Sequence, residues 1–373
     1  MNRVYLDNAA TTPLRSEVID CMVEVMQNEY GNASSTHSFG RSAKTILETA
    51  RKSIAKIMGC EARELIFTSN ATEATNLILT SAVRDLGIQR IVTSRMEHHA
   101  TLYTVAKLAA DYSIAVDYLP ANADGTVDVS GLEALLADGV PTLVTLMHVN
   151  NETGALLDIQ QVGTICHAHK ALFHCDTVQS VGKWALDFHA LPLDFAVASA
   201  HKFHGPKGVG FAYISKQVVI KPLIVGGEQE KGLRAGTEAV HQIAGMAKAL
   251  ELDAAELAHD YPYIESLKNY CWEQLQLAFP GIKTNGDHTF YNILNVTLPM
   301  SEEKAAMILF NLDMKGIAVS RGSACQSGSS KPSHVLAQFV SEEDLKRPAL
   351  RISFSRFNTK EDIDALLDAL KGI

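Results

Sequence analysis

In the stretch DFAVASAHKFHGPKGVG (194–210) a lysine, Lys202, directly follows a histidine at the close of an apolar run, just ahead of a Gly/Pro-rich turn. An ammonium group avoids the end of a buried strand unless chemistry needs it there, although a lysine can also snorkel from such a terminus. Its amine forms an imine with a carbonyl compound only when partly neutral, and desolvation beside a second cation such as His201 favours that state. A second apolar run, LFHCD, ends on Asp176. A carboxylate there either caps the next helix or pairs with a cation. A pyridinium nitrogen is one such cation, and aspartate is the usual partner of a pyridoxal cofactor.

The segment TSNATEATN (68–76) passes from a strand into a helix. Its small and hydroxylated residues leave backbone N–H groups open at a helix start, where an anion such as phosphate is held. Thr72 adds a hydroxyl, and Ser199 and His201 reach the same place from the next strand end. Each feature alone has a bland reading as a cap or strand terminus. Imine, pyridinium partner and phosphate cradle together are what a single cofactor requires. In MEHHA (96–100), His98 is read as a ring stacked on a planar cofactor and available for proton transfer. Neither MEHHA nor HAH (167–169) has the spacing of a metal site, and no metal is expected in the resting protein.

Cys325 lies in SRGSACQSGSSKPSH (320–334), which reads as an exposed, mobile loop. Cys21, Cys166 and Cys271 fall in helical settings, where a thiol packs as a small hydrophobe. Cys325 has no core to fill, which points to a nucleophile or sulfur carrier. The six cysteines are scattered without a CxxC pair, as expected of free thiols in a reducing compartment. A net charge of −9 argues against nucleic acid as the main partner. No apolar run reaches the roughly 18–20 residues of a membrane span. MNRVYLDNAATTP lacks the apolar core of a signal peptide, so a cytoplasmic protein is expected.

The elements that must position these groups follow an α/β pattern. ELIFTS, IVTS, AVDYL, TLVTLMHV, LFHCD and DFAVAS read as strands, most separated by helical stretches such as ATEATNLILTSAVRDL and ATLYTVAKLAADY. Such alternation predicts a mainly parallel sheet covered on both faces, with ligands at the carboxyl ends of its strands. The pattern changes near residue 255. YIESLKNYCWEQLQLAF, YNILNVTL, EEKAAMILFNLDMKG, RISFS and EDIDALLDALK predict a smaller α+β domain that the first residues of the chain join. The predicted domains are 15–255 (large) and 1–14 with 256–373 (small, carrying the loop at about 320–334).

At this point the chain resembles a known family, the cysteine desulfurases of the NifS/IscS kind. These are class V, fold-type I pyridoxal-phosphate enzymes. The resemblance runs through YLDNAATTP (5–13), GNASSTHSFGR (31–41), TSNATEATN, MEHHA, MHVNNETG (147–154), FHCDTVQSVGK (173–183), SAHKFHGPKGVG (199–210), GLRAGTEAVHQ (232–242), GSACQSG (322–328) and RISFSRF (351–357). It implies a seven-stranded large-domain sheet and pyridoxal 5′-phosphate held as a Schiff base on Lys202. Asp176 would pair with the pyridine nitrogen, Gln179 with the ring hydroxyl, and His98 would stack on the ring. Ala71, Thr72, Ser199 and His201 would hold the phosphate, and Thr237 would reach the phosphate of the other subunit of a homodimer. Asn151 would contact cofactor and substrate, and Arg351 would grip the substrate carboxylate.

By the same resemblance, L-cysteine would become L-alanine. Cys325 would take the sulfur as a persulfide for an acceptor or iron–sulfur scaffold protein, and would transiently ligate a cluster during transfer. The sulfur would serve iron–sulfur cluster assembly, thio-cofactor synthesis or tRNA thiolation. Two departures stand out. Asn70 occupies a place usually held by glycine, where a neighbouring N–H is expected to serve. Arg321 stands four residues before the thiol, where it would either lower the Cys325 pKa or point into solvent, and solvent is expected. Rival readings on the same fold are an aminotransferase, a selenocysteine lyase or a C–S lyase releasing sulfide, and Cys325 separates them. A catalytically silent scaffold would have no use for Lys202 and Asp176.

Overall fold

Short aliphatic runs bounded by turn residues, alternating with amphipathic stretches, build three sheets and their helical cover. The computed structural model describes residues 3–322 and 332–373. β1 (Val4–Tyr5) precedes α1 (Ser16–Asn28) and α2 (Ser38–Ile57). Then come β2 (Leu65–Thr68), α3 (Ala71–Asp85), β3 (Arg90–Ser94), α4 (His99–Tyr112), β4 (Ala115–Leu119), the short α5 (Leu132–Leu136), β5 (Thr142–Met147), α6 (Ile159–Ala168), β6 (Leu172–Asp176), β7 (Phe195–Ser199) and β8 (Gly210–Ile214). The long α7 (Val240–Ala278) leads to β9 (Lys283–Thr284), β10 (Ile293–Thr297), α8 (Glu302–Met314), β11 (Ile317–Ala318), α9 (Glu342–Lys346), β12 (Ala349–Ser353) and α10 (Lys360–Lys371).

The main sheet has seven strands in the order β2-β8-β7-β6-β5-β3-β4. β4, β3, β5, β6 and β7 run parallel, and β8 is antiparallel to both of its neighbours. Alternation along each strand feeds two cores. Val144, Leu146, Phe173, Cys175, Ala196 and Ala198 face one core, completed by α1, α2, α6 and the first part of α7. Leu143, Phe195 and Val197 face the other, under α3 and α4. The strands are buried on both faces, which is why they read as unbroken apolar runs. β8 is absent from the strands read in the sequence, because it follows directly on the Gly/Pro turn after Lys202 and returns antiparallel.

β2 is an edge strand, yet all four of its residues are buried. The Phe67 N–H donates to Glu230 Oε2 at 2.7 Å, and Glu230 is held bidentately by buried Arg51 at 2.7 and 2.8 Å. A paired carboxylate thus satisfies a backbone donor that would otherwise be open at the edge.

The smaller sheet is antiparallel, β12-β10-β9, beside the parallel pair β1-β11. β1 therefore brings the start of the chain to its far end. α7 runs across residue 255. Its Ile243, Met246 and Leu250 pack in the core of the large sheet, while Ile264, Leu267, Cys271 and Leu275 pack with β10, β12 and α10. Pro262 lies inside the helix near this change of partner. Among the described residues no helix is long and apolar enough to cross a membrane.

Candidate active site

Parallel strands place their carboxyl ends on one edge of the sheet, and helices α3 and α4 begin at that edge. A cavity of about 280 Å³ opens there. All the residues predicted from the sequence line it except Thr237 and Cys325: Ala71, Thr72, His98, Asn151, Asp176, Gln179, Ser199, His201, Lys202 and Arg351 are brought together. Thr237 is exposed, on the segment before α7. Cys325 lies outside the described residues.

Lys202 sits in a single 3-10 turn, Ala200–Lys202, that follows β7 directly. Its Nζ donates to the carbonyls of Ala9 at 2.6 Å and Ala10 at 2.8 Å, from the segment after β1. Ser199 Oγ accepts from the Ala71 N–H at 2.8 Å, which locks the end of β7 to the start of α3. This approach depends on Gly210, where a Cβ would stand 2.2 Å from the Ala198 carbonyl oxygen and 3.1 Å from Asn70 Cα. Asn70 caps α3 by accepting from the Glu73 N–H at 2.9 Å, and its φ of −176° is ordinary extended backbone. Glycine is thus not required at this position.

Asp176 accepts from the Val178 N–H through Oδ1 at 3.0 Å. Burial pushes its carboxyl up to about 6, opposed by that hydrogen bond and by Lys202. His98 caps α4, its Nδ1 accepting from the Ala100 N–H at 3.1 Å. Burial, then Lys202 and His334, bring the imidazole down to about 4. It is therefore neutral at physiological pH, and with Nδ1 accepting, the proton resides on Nε2. Burial, with help from Lys202, Lys207 and Lys183, likewise brings His201 to about 4. His201 is therefore neutral at physiological pH. Arg351, 1% exposed, donates to the Asn151 carbonyl at 2.8 Å and to Asp7 at 2.7 Å.

The donor set matches pyridoxal phosphate at each of its parts. A helix start with Thr72, Ser199 and His201 suits a phosphate, the buried Asp176 suits a protonated ring nitrogen, and the Lys202 amine suits an aldehyde. The fit predicts a linkage. Between about pH 4 and pH 6 the folded protein keeps an Asp176 proton that the unfolded chain has released, so stability falls as pH rises through this window. In protein stripped of cofactor, Asp176→Asn should therefore gain on wild type by about 2 kcal/mol as pH rises from 4 to 7. Urea melts at each pH check this. A difference that stays flat with pH would count against the buried carboxylate.

The Aminotransferase class-V family model matches residues 4–366. The chain belongs to the class-V aminotransferase family. Among similar members is the "Putative cysteine desulfurase IscS 1" of Bacillus subtilis, 41% identical over 97% of this chain and 96% of that one. Another is the "Cysteine desulfurase IscS" of Dictyoglomus turgidum, 39% identical over 99% and 94%. A solved NifS-like protein superposes with a TM-score of 0.91 at 35% identity, covering 100% of this chain and 99% of its own. The structure titled "SspA in complex with cysteine" matches with a TM-score of 0.83 at 29% identity, over 95% and 100%. Class-V aminotransferases of the desulfurase kind use pyridoxal phosphate, as the cavity's donor set implies.

Several site features of this class-V member were not read from the sequence. Asp7 and the Ala9 and Ala10 carbonyls come from YLDNAATTP, a segment noted for its resemblance but given no role residue by residue. Glu97, beside His98, is fully buried and accepts from Ser94 Oγ and the Met147 N–H. Burial, with Asp176 adding to it, pushes Glu97 up to about 8. One expectation is corrected. Arg321 does not point into solvent, because its guanidinium donates to the Ala305 carbonyl of α8 at 2.9 Å. A cation seeking solvent and a cation seeking a helix carbonyl look alike in sequence.

Proposed function

We propose that this protein converts L-cysteine to L-alanine and passes the sulfur, as a persulfide on Cys325, to an acceptor protein. The observation that carries the reading is the convergence of Lys202, Asp176, the α3 start with Ser199, and Arg351 on one cavity. Bound pyridoxal phosphate supplies an aldehyde for amine capture and a ring that takes up electrons released at the substrate α carbon. Lys202 holds the site's amine at Ala9 and Ala10 and, once released, takes the α proton on Nζ. Asp176 keeps a positive charge at the ring nitrogen. His98 carries a proton on Nε2 and serves as the shuttle. Cys325, as thiolate, attacks the substrate sulfur. The S–S bond forms as the C–S bond breaks, and the electron pair left on carbon takes a proton to give the methyl of alanine.

The other cysteines offer no competing nucleophile. Burial raises the thiols of Cys60 and Cys166 to about 12 and those of Cys21, Cys175 and Cys271 above their ordinary value. We further take the protein as a cytoplasmic homodimer in which Thr237 reaches the phosphate in the partner's cavity. An exposed apolar run near it, with Val219 81% and Val225 78% exposed, supports a covering subunit. The domain division at about residue 255 belongs to this reading too, with α7 as the shared strut. The acceptor would be an iron–sulfur scaffold or another sulfur-accepting protein.

The direct test is alanine production from L-cysteine with a reductant present, using protein loaded with cofactor. No alanine would overturn the assignment. Arg351→Lys is expected to raise KM for L-cysteine about 10- to 100-fold, because a single ammonium replaces a charge-assisted fork. Cofactor loading should be unchanged, since Arg351 is assigned to the substrate. A KM within about twofold of wild type would remove Arg351 from that role.

A further inference from the structure

Lys183, in the turn after β6, is buried at 8% exposure, an unusual place for an ammonium. Its Nζ donates to Gln179 Oε1 at 3.2 Å, four residues back, and Gln179 Nε2 donates to the Ala9 carbonyl at 2.9 Å. Ala9 is the same carbonyl that accepts from Lys202. Behind Lys183 lies a separate cavity of about 30 Å³, lined also by His204, Asp253, Asp260, Tyr291 and Arg356. Asp253 is tied in turn to Arg15 at 3.4 Å.

A carboxamide has nearly equal shape in its two flipped states but opposite chemistry, acceptor on one side and donor on the other. An ammonium has only donors, so Lys183 can bond only Oε1. We propose that Lys183 is a positioning residue that fixes the flip of Gln179, turning Nε2 towards the cavity as a donor and setting a positive charge behind it. Resting on the cofactor reading above, this gives Gln179 a defined partner, an anionic ring oxygen of the bound cofactor. Among the charges facing Lys183, Lys202 repels it and Asp253 attracts it, and burial together with Lys202 brings its amine down to about 7. Charged, the amine offers donors only and holds Oε1, and the Ala9 carbonyl, an acceptor only, holds Nε2 to the same flip whatever the charge on Lys183. The geometry therefore holds across the working pH range.

The test is a pH titration of the visible absorbance of the bound cofactor. A cation and a donor near the ring oxygen both make the nitrogen bonded at Lys202 release its proton more easily. Lys183→Met is expected to move the midpoint up by about one pH unit, a tenfold gain in proton affinity. Lys183→Arg should stay near wild type. In a Gln179→Leu background, the Lys183→Met shift should shrink to less than half, since the effect passes through the amide. A Lys183→Met curve superimposable on wild type would overturn the assignment, as would an undiminished shift without Gln179. Should Lys183→Met fail to fold, Lys183→Gln, uncharged and of similar size, is titrated with the same two outcomes. A wild-type protein with no visible band would instead sink the cofactor reading itself.

Discussion

Replacing Lys202 by alanine is expected to lower alanine formation from L-cysteine by at least about 10³-fold. Two functions end with one amine. Positioned proton transfer alone contributes roughly 10²–10⁴-fold, and Lys202 is also the group proposed to anchor the cofactor. Its Nζ lies on the Ala9 and Ala10 carbonyls at the carboxyl end of β7, with Asp176 on the same cavity wall. The fold should be unaffected, because the side chain is only partly buried and fills no core. Borohydride reduction gives a readout beyond turnover. Wild type should be labelled covalently at Lys202, and the variant should not. Activity within tenfold of wild type would show that another group removes the proton.

The second large effect concerns Cys325. Changing it to alanine is expected to abolish alanine formation, by about 10²–10³-fold or more, while the yellow cofactor band is retained. None of the described cysteines can replace it, since burial holds each thiol protonated at neutral pH. The same variant separates the rival chemistries. Full activity would keep the pyridoxal site but place the protein among lyases, which release the sulfur without a protein thiol. An aminotransferase would likewise be indifferent to the change.

The edge of the large sheet that lines the cavity was legible from its run ends. β5, β6 and β7 are covered on both faces, so each appears as an unbroken apolar run, and parallel pairing sends every run's end to the same edge. Asp176, Ser199 and Lys202 could therefore be assigned to one site from their positions at run ends alone. Asn70 was expected to stand in for glycine because a neighbouring N–H could serve, and the structure adds that its extended backbone, φ −176°, imposes no restriction.

What escaped the sequence depends on partners far along the chain. Asp7 and Ser353 form a bridge, and Ser320 pairs with Arg351, so the first and last strands bring Asp7 against Arg351 beside the cavity. No local pattern announces a contact between residues 7 and 351. Arg321 found the Ala305 carbonyl rather than water because α8 packs beside it, and Lys183 found Gln179 because burial left it no solvent. The identity of the chemical groups and the edge they share are local properties of strands and caps, and the sequence determined both. Which backbone carbonyls receive Lys202, which carboxylate balances Arg351, and which way the Gln179 amide faces are set by the packing of distant segments, and only the tertiary structure decided them.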